Sequence, residues 1–412
     1  SLDWIESAGC RVVNLLCKGS YKHVTEQLRK TPEQHVDDIR TVVLEAAKRK
    51  IDVNIYLEDW SNGIKHSPDY VFLVIDALKG LPICRFMLPD TLGVLNPGNT
   101  YEYCKMMVDR YPDLRFDFHA HNDYDLAVAN VYSAIRAGIK GIHTTVNGLG
   151  ERAGNAPLSS VLAVIKDQLG EETNLREEKI NKASRLVETY SGVHIPPNKP
   201  IIGEHVFTQC AGVHADGDSK NNLYCNDLLP ERFGRVREYA LGKTSGKANI
   251  RKNLEALGID MDEGSMRKVT ERIIELGDKK EMVTPEDLPY IISDVLHHDN
   301  ALEDQKIRIL NYSLSLAQGL KPVATLKIEI NGEAYEESAS GDGQYDAFVR
   351  ALRRIYSRLN RPFPMLTNYS VSIPPGGRTD AFVQTVISWN YAGPKRDQYY
   401  PLMWNKLGFS KP

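Results

Sequence analysis

Strand-length apolar runs and helix-length amphipathic stretches alternate strictly over the first 150 or so residues of this 412-residue chain. That alternation restricts the fold more than any other feature. Residues 11–17 (RVVNLLC), 51–57 (IDVNIYL), 83–88 (ICRFML), 114–119 (LRFDFH) and 139–146 (IKGIHTTV) are short and rich in Val, Ile, Leu and Phe, as buried parallel strands are. Residues 32–50, 67–81, 97–111 and 124–138 read as helices between them, the first and third opening with Pro, a favoured first-turn residue. Strand and helix in this order make a parallel α/β sheet, either doubly wound or closed into a barrel.

The strand ends decide between the two. Each closes in polar chemistry: Lys18; Glu58 and Asp59; Asp90 and Thr91; His119, His121, Asn122 and Asp123; and Asn147. A TIM (β/α)8 barrel builds its active site on that face. A doubly wound sheet gathers its ligands at one switch point and carries G-x-G-x-x-G after its first strand, which is absent here. The barrel is the favoured reading. A barrel of ~250 residues spends about 31 on each of eight units, and five are visible. Three units, roughly 90 residues by the same measure, are expected upstream of residue 1.

Composition removes other classes. With 51 Lys+Arg against 54 Asp+Glu the formal charge is -3, so no overall basic field exists to hold nucleic acid. Runs such as 71–75 and 161–165 are far shorter than the ~20 apolar residues that cross a bilayer, so no membrane partner is expected. The six cysteines include no C-x-x-C pair and read as buried thiols of a reducing cytoplasm.

His119-x-His121 is the sharpest chemical signal. Residues i and i+2 of a strand project to one side, so both imidazoles can reach one metal ion. Glu58 is either a general acid/base or a carboxylate suited to a helix N-terminus, with Asp59 facing elsewhere by alternation. Residues 147–155 (NGLGERAGN) lack the Lys-Ser/Thr of a P-loop, yet their glycines can present backbone amides to a ligand. His214 lies in a polar loop with Tyr224 ten residues on. His143 reads as a hydrogen-bonded core residue, and His297 and His298 as a helix end whose positive charge suits the dipole.

Together HAHND, NGLGERAGNAPL, FTQCAGVHADGD and GDGQYDAF resemble the 2-isopropylmalate, homocitrate and citramalate synthases of the DRE-TIM metallolyase group, over residues 1 to about 390. VNLLCKGSYKH, NIYLEDWSNG and RFMLPDTLGVL look most like the citramalate branch. The resemblance implies a divalent metal, zinc or manganese, on His119 and His121, with acetyl-CoA as co-substrate. It implies Glu58, His214 and Tyr224 as acid/base residues, Thr91 against the keto-acid carboxylate, Asn155 in the substrate site, and Leu16 and Tyr56 as pocket walls that favour pyruvate. The group's D-x-T-L-R-D-G signature, which supplies a third metal ligand and an Arg, does not occur. Residues 1–412 alone are therefore expected to turn over negligibly. A non-catalytic fragment or binding partner is the alternative of another class, and 2-isopropylmalate synthase the alternative enzyme.

Three segments are expected: a partial barrel to residue 170, helical linker subdomains over 171–304, and an α+β domain over 305–412. In the last, residues 306–330 alternate apolar and polar, Asn331-Gly332 is a hairpin signal, and residues 346–358 are amphipathic. This segment resembles the group's regulatory module, which implies a homodimer and an isoleucine pocket of Tyr345, Leu366, Tyr369, Ile373 and Val383. Residues 390–412 do not match the module's closing strand and helix.

Overall fold

The computed structural model describes residues 2–209, 212–220, 223–242, 245–278, 283, 287–288, 291–292, 295, 307–372 and 384–390. The chain divides into two compact units, residues 1–209 with 217–238, and residues 210–216 with 239–412.

In the first unit, helix α1 (Leu2–Ser7) precedes strand β1 (Val12–Lys18), and α2 (Pro32–Lys48) leads to β2 (Asp52–Glu58). Then come α3 (Trp60–His66), α4 (Pro68–Leu78), β3 (Ile83–Asp90), α5 (Pro97–Arg110), β4 (Phe116–Ala120), α6 (Ala127–Arg136) and β5 (Gly141–His143). All five expected strands are present. They pair in parallel in the order β1-β2-β3-β4-β5. A strand order that never reverses is the single winding of a barrel wall; a doubly wound sheet turns back at its switch point.

The two faces of the sheet differ as the sequence pattern requires. Ile55, Leu57, Phe86, Leu88, Phe116 and Phe118 are almost wholly buried, in one core with Ile39, Val43, Val71, Ile75, Met107 and Val131 of the helices. Each such side chain contributes about 1.5–3 kcal/mol on burial. The other face carries the alternate residues: Asn14, Leu16 and Lys18 beside Asn54, Tyr56 and Glu58, in direct register. Helix starts follow local chemistry. Thr31 caps α2 in a reciprocal capping box with Gln34, and Asn96 caps α5 by accepting from the Asn99 N–H.

Helices α7 (Leu158–Leu169) and α8 (Ile180–Ser191) follow, then strand β6 (Thr208–Gln209), helix α9 (Gly212–Ser219) and strand β7 (Glu238–Tyr239). The second unit holds α10 (Lys247–Leu257) and α11 (Glu263–Asp278), with Ile250, Leu254, Met266, Val269 and Ile273 in one core. Its antiparallel sheet has the order β10-β9-β8, from β8 (Ile307–Ser315), β9 (Val323–Ile330) and β10 (Glu333–Ser340). Asn331 and Gly332 both take positive φ, 53° and 85°, at the β9–β10 turn, the backbone the Asn-Gly pair predicts. Helix α12 (Gln344–Arg358) packs its Ala351 and Ile355 with Leu326 and Ile328 of β9. A separate pair, β11 (Met365–Ser372) and β12 (Gln384–Asn390), is antiparallel.

Among the described residues no helix is long and apolar enough to cross a membrane. The five described cysteines are free; Cys17 and Cys104 are buried as expected, whereas Cys10 and Cys84 are exposed. Cys10 lies just before β1, and Cys84 is a solvent-facing residue near the start of β3.

Candidate functional site

The first unit gathers several of the sequence-read residues at the C-terminal ends of its strands. The His119 and His121 rings lie edge to face with centroids 5.0 Å apart. Tyr56 on β2 approaches His119 at 5.9 Å, and His143 at the end of β5 at 5.7 Å. Burial, followed by the nearby His121 and His143, pushes the His119 imidazole down to about 4. His121 is likewise lowered, first by burial and then by Arg152. Both rings are therefore neutral near pH 7 with lone pairs to offer. Burial and then the Glu58 charge push the Tyr56 phenol up to about 12.

Asn155 joins this pair through an isolated antiparallel bridge to His121. Two buried atoms here have no hydrogen-bond partner, His121 Nδ1 and Asn155 Oδ1. Buried polar atoms left without a partner are costly unless something binds them, and a divalent cation satisfies imidazole nitrogen and amide oxygen alike. Among the described residues no three His, Cys, Asp or Glu groups converge on one point. The chemistry of His119, His121 and the Asn155 amide oxygen suits a cation.

The loops around the pair are tied together by charge. Arg152 makes a forked pair with Asp123, Nε to Oδ1 at 2.7 Å and Nη2 to Oδ2 at 2.9 Å, and donates from Nη2 to the Thr91 carbonyl at 2.8 Å. The Arg152 hydrogen bond holds the Asp123 carboxyl below the usual carboxylate range. This fork fixes residues 147–155 against the loops after β3 and β4, with Asn155 Nδ2 donating to the Leu149 carbonyl at 3.2 Å. Thr91 Oγ1 accepts from the Asp59 N–H at 2.8 Å.

Asp90 and Asn122 serve the backbone. The buried Asp90 accepts from the Val94 and Leu95 amides, both at 3.0 Å, turning the chain after β3. Asn122 Oδ1 accepts from the Ala127 N–H, the first amide of α6. Asp59 lies just past β2 at φ 62°, outside the strand's alternation, and sits buried, accepting from Asn62 at 2.7 Å.

Glu58 projects beside its register partner Lys18, and the two form an ion pair. Lys18 was read only as a polar strand end; the register of β1 on β2, which a sequence does not display, makes it Glu58's partner. Leu16 and Tyr56 are also register partners, but Leu16, on the edge strand β1, is 61% exposed. His143 is no sequestered core residue. It is half-buried beside His119, with Nε2 3.7 Å from Asp117 Oδ2. Burial opposes ionisation of Asp117, yet hydrogen bonds from His143 and Arg85 prevail and lower it.

His214 lies on helix α9 and not in a loop, in the second of the two units. Tyr224 belongs to the first unit and lines a cavity of about 520 Å³ with His205, Phe207, Asn226 and Arg237. In the second unit the Tyr345 and Tyr369 rings stack with centroids 4.8 Å apart, and Leu366 is part-exposed on β11. Ile373, Val383, His297 and His298 lie outside the described residues.

Comparison with known proteins supplies the family. The HMGL-like family matches residues 2–187, the homocitrate synthase post-HMGL domain-like family residues 201–281, and the LeuA allosteric (dimerisation) domain residues 282–401. A putative (R)-citramalate synthase of Methanopyrus kandleri is 33% identical over 381 residues, covering 92% of this chain and 73% of that protein. A probable 2-isopropylmalate synthase of the same organism is 33% identical over 94% of the chain and 76% of its own length. The (R)-citramalate synthase of Methanocaldococcus jannaschii is 31% identical over 91% and 75%. The chain belongs to the DRE-TIM family of citramalate and 2-isopropylmalate synthases, acyltransferases that join acetyl-CoA to a 2-oxo acid.

Proposed function

We propose that this chain is part of an enzyme that condenses acetyl-CoA with pyruvate to give (R)-citramalate and free CoA, using a divalent cation, zinc or manganese, held by His119 and His121 with Asn155; residues 1–412 alone are expected to turn over negligibly. The observation that carries this reading is the neutral imidazole pair beside the partnerless Asn155 Oδ1 at the strand ends. When bound, the cation polarises the ketone and stabilises the charge that develops on its oxygen.

In the overall reaction a methyl proton of acetyl-CoA leaves to a base, and the methyl carbon bonds to the ketone carbon of pyruvate. The ketone oxygen takes up a proton to become a hydroxyl, and water cleaves the thioester to release CoA. The methyl proton is weakly acidic, so a positioned base and a donor are both needed; Glu58, His214 and Tyr224 are assigned to that work. Thr91 is assigned to the pyruvate carboxylate. Leu16 and Tyr56, adjacent in register, are assigned to the pocket that takes a methyl group in preference to an isopropyl.

The LeuA-type segment supports a homodimer, and the stacked Tyr345 and Tyr369, with Leu366, Ile373 and Val383, are assigned to an isoleucine effector. The setting is cytoplasmic amino-acid biosynthesis. The 2-isopropylmalate reading keeps a footing because one such relative is also 33% identical. Competitive calorimetry of pyruvate against 2-ketoisovalerate on the Mn²⁺-loaded enzyme with its barrel completed by the upstream units, followed by CoA release, separates the two. Tighter pyruvate binding is expected; a preference for 2-ketoisovalerate overturns the assignment. The size of the preference is bounded, since each methylene in an apolar pocket discriminates by about 1–3 kcal/mol.

A further inference from the structure

A buried histidine with no part in the chemistry above lies behind the Lys18–Glu58 pair. His35, on α2, is only 4% exposed, and both of its ring nitrogens are engaged. The Lys18 N–H donates to His35 Nε2 at 3.3 Å. A nitrogen that accepts carries no proton, so the neutral ring holds its hydrogen on Nδ1. That hydrogen points to the Tyr70 hydroxyl at 2.8 Å. Tyr70, on α4, donates its own hydrogen to the Lys18 carbonyl at 2.9 Å. The three bonds close a ring with one consistent direction. Peptide N–H to imidazole, imidazole to phenol, and phenol to the carbonyl of the same residue leave no donor or acceptor over.

We propose that His35 and Tyr70 clamp the main chain of Lys18 at the end of β1, so that its ammonium is held on Glu58, and that Lys18 thereby acts as a positioning residue for the acid/base carboxylate. The proposal rests on the assignment of Glu58 as an acid/base group. Three features support it. Lys18 is a long side chain at 8% exposure, and an unpaired ammonium so placed is costly. Lys18 and Glu58 are exact register neighbours on parallel strands, so both side chains leave the sheet on one face. The Gly19 N–H donates to the Glu58 carbonyl at 2.6 Å, tying the two strand ends together just beyond the pair. Two helices thus brace one residue at the end of β1.

The test reads the clamp on residues 1–412 and the chemistry separately, in the enzyme with its barrel completed by the upstream units. Tyr70→Phe removes the phenol that links His35 to Lys18 and is expected to speed amide hydrogen exchange at Lys18 at least tenfold, with exchange at Leu88 and Phe118 unchanged. Long-range proton–nitrogen NMR of the His35 ring is expected to show the Nδ1-protonated tautomer. Lys18→Met is expected to lower kcat for CoA formation at least fivefold with both KM values unchanged, and Lys18→Arg to restore most of it; slow rates are quantified by mass spectrometry. Unchanged exchange at Lys18 in Tyr70→Phe, or the other tautomer, overturns the clamp. Full kcat in Lys18→Met overturns the positioning role. Glu58→Gln is measured in parallel. If it retains full kcat, the acid/base assignment fails and the positioning role with it, while the exchange and tautomer readouts still judge the clamp.

Discussion

Replacing Gly63 by Ala tests how tightly the strand ends are held. Gly63 is buried in α3, and a methyl group built there overlaps the Gly19 carbonyl oxygen. It also lies 2.9 Å from that carbonyl's carbon and 3.2 Å from Ser20 Cα. Every one of these atoms is backbone, so no side chain can swing aside, and α3 must retreat by about an ångström in a close-packed interior. Alanine's better helix propensity returns up to ~1 kcal/mol. Overpacking costs ~1–3 kcal/mol. A retreat of that size also forfeits about a quarter to a half of the dispersion contacts along the moved face, which here include the wholly buried Trp60 and Ile64. The expected net loss is about 2 kcal/mol. Urea unfolding followed by Trp60 emission, with Trp4, Trp389 and Trp404 changed to Phe, measures it. Gly80→Ala is the control, because a methyl group there meets nothing within 4 Å. A Gly63→Ala midpoint within ~0.5 kcal/mol of that control, the usual scatter of surface changes, refutes the reasoning.

Three further outcomes follow from the same geometry. His121→Ala removes a proposed ligand and should weaken Mn²⁺ binding by more than the ~10–100-fold typical of outer-shell partners, with little change in metal-free stability, since its buried Nδ1 has no partner to lose; equal calorimetric affinities would contradict the metal assignment. Burial, and then Lys30 and Lys18 against the opposing Asp38, holds His35 below its ordinary 6.5, so the unfolded chain binds the proton more readily and the contribution to stability is complete above pH 6.5 and declines as pH falls below it; the urea midpoint between pH 7.5 and 5 should fall, and fall less in His35→Gln. Arg152→Gln breaks the fork to Asp123 and the bond to Thr91. With the Arg152 side chain 38% exposed, the loss should stay within about 1 kcal/mol, while exchange at residues 147–155 should rise several-fold.

The five strands were legible because each outward face is a run of large apolar residues and each inter-strand segment has helix length. Their boundaries moved by only a few residues; the first strand, for instance, ends at Lys18 instead of residue 17. Helix α3 was not legible. Its sequence WSNGIKH is short and includes Gly, Asn and Ser, poor helix formers, and the close approach of Gly63 to the Gly19 backbone leaves no local pattern in the sequence. The paired histidines were visible from spacing alone. Their surroundings were not: Lys18 on Glu58, Arg152 on Asp123 and Asn155 beside His121 each join residues 29 to 40 positions apart in sequence, or different loops, and no local periodicity records such pairings. Asp90 and Asn122 looked chemical because they flank the motif residues, but their oxygens are taken by backbone amides.

One contrast within the sheet ties fold to function. On the helix-covered face every strand offers aliphatic or aromatic residues, yet on the opposite face the layer below the imidazoles is polar: Asn54 donates to Asn14 at 2.9 Å, and Arg85 pairs with Asp117 at 2.9 Å. An aliphatic layer would pack as well without the desolvation that buried amides and ions bring, so stability does not explain the choice. What the polar layer supplies is direction. Asp117, two residues before His119 on the same face of β4, is fixed by Arg85 and lies within 3.7 Å of His143, and that ring in turn contacts His119. Asp117 thereby orients His143 beneath the imidazole pair, as outer groups do for rings of the kind proposed here to hold a cation. Hydrophobic burial decides where the strands lie, and this hydrogen-bonded layer decides which way the reactive side chains point.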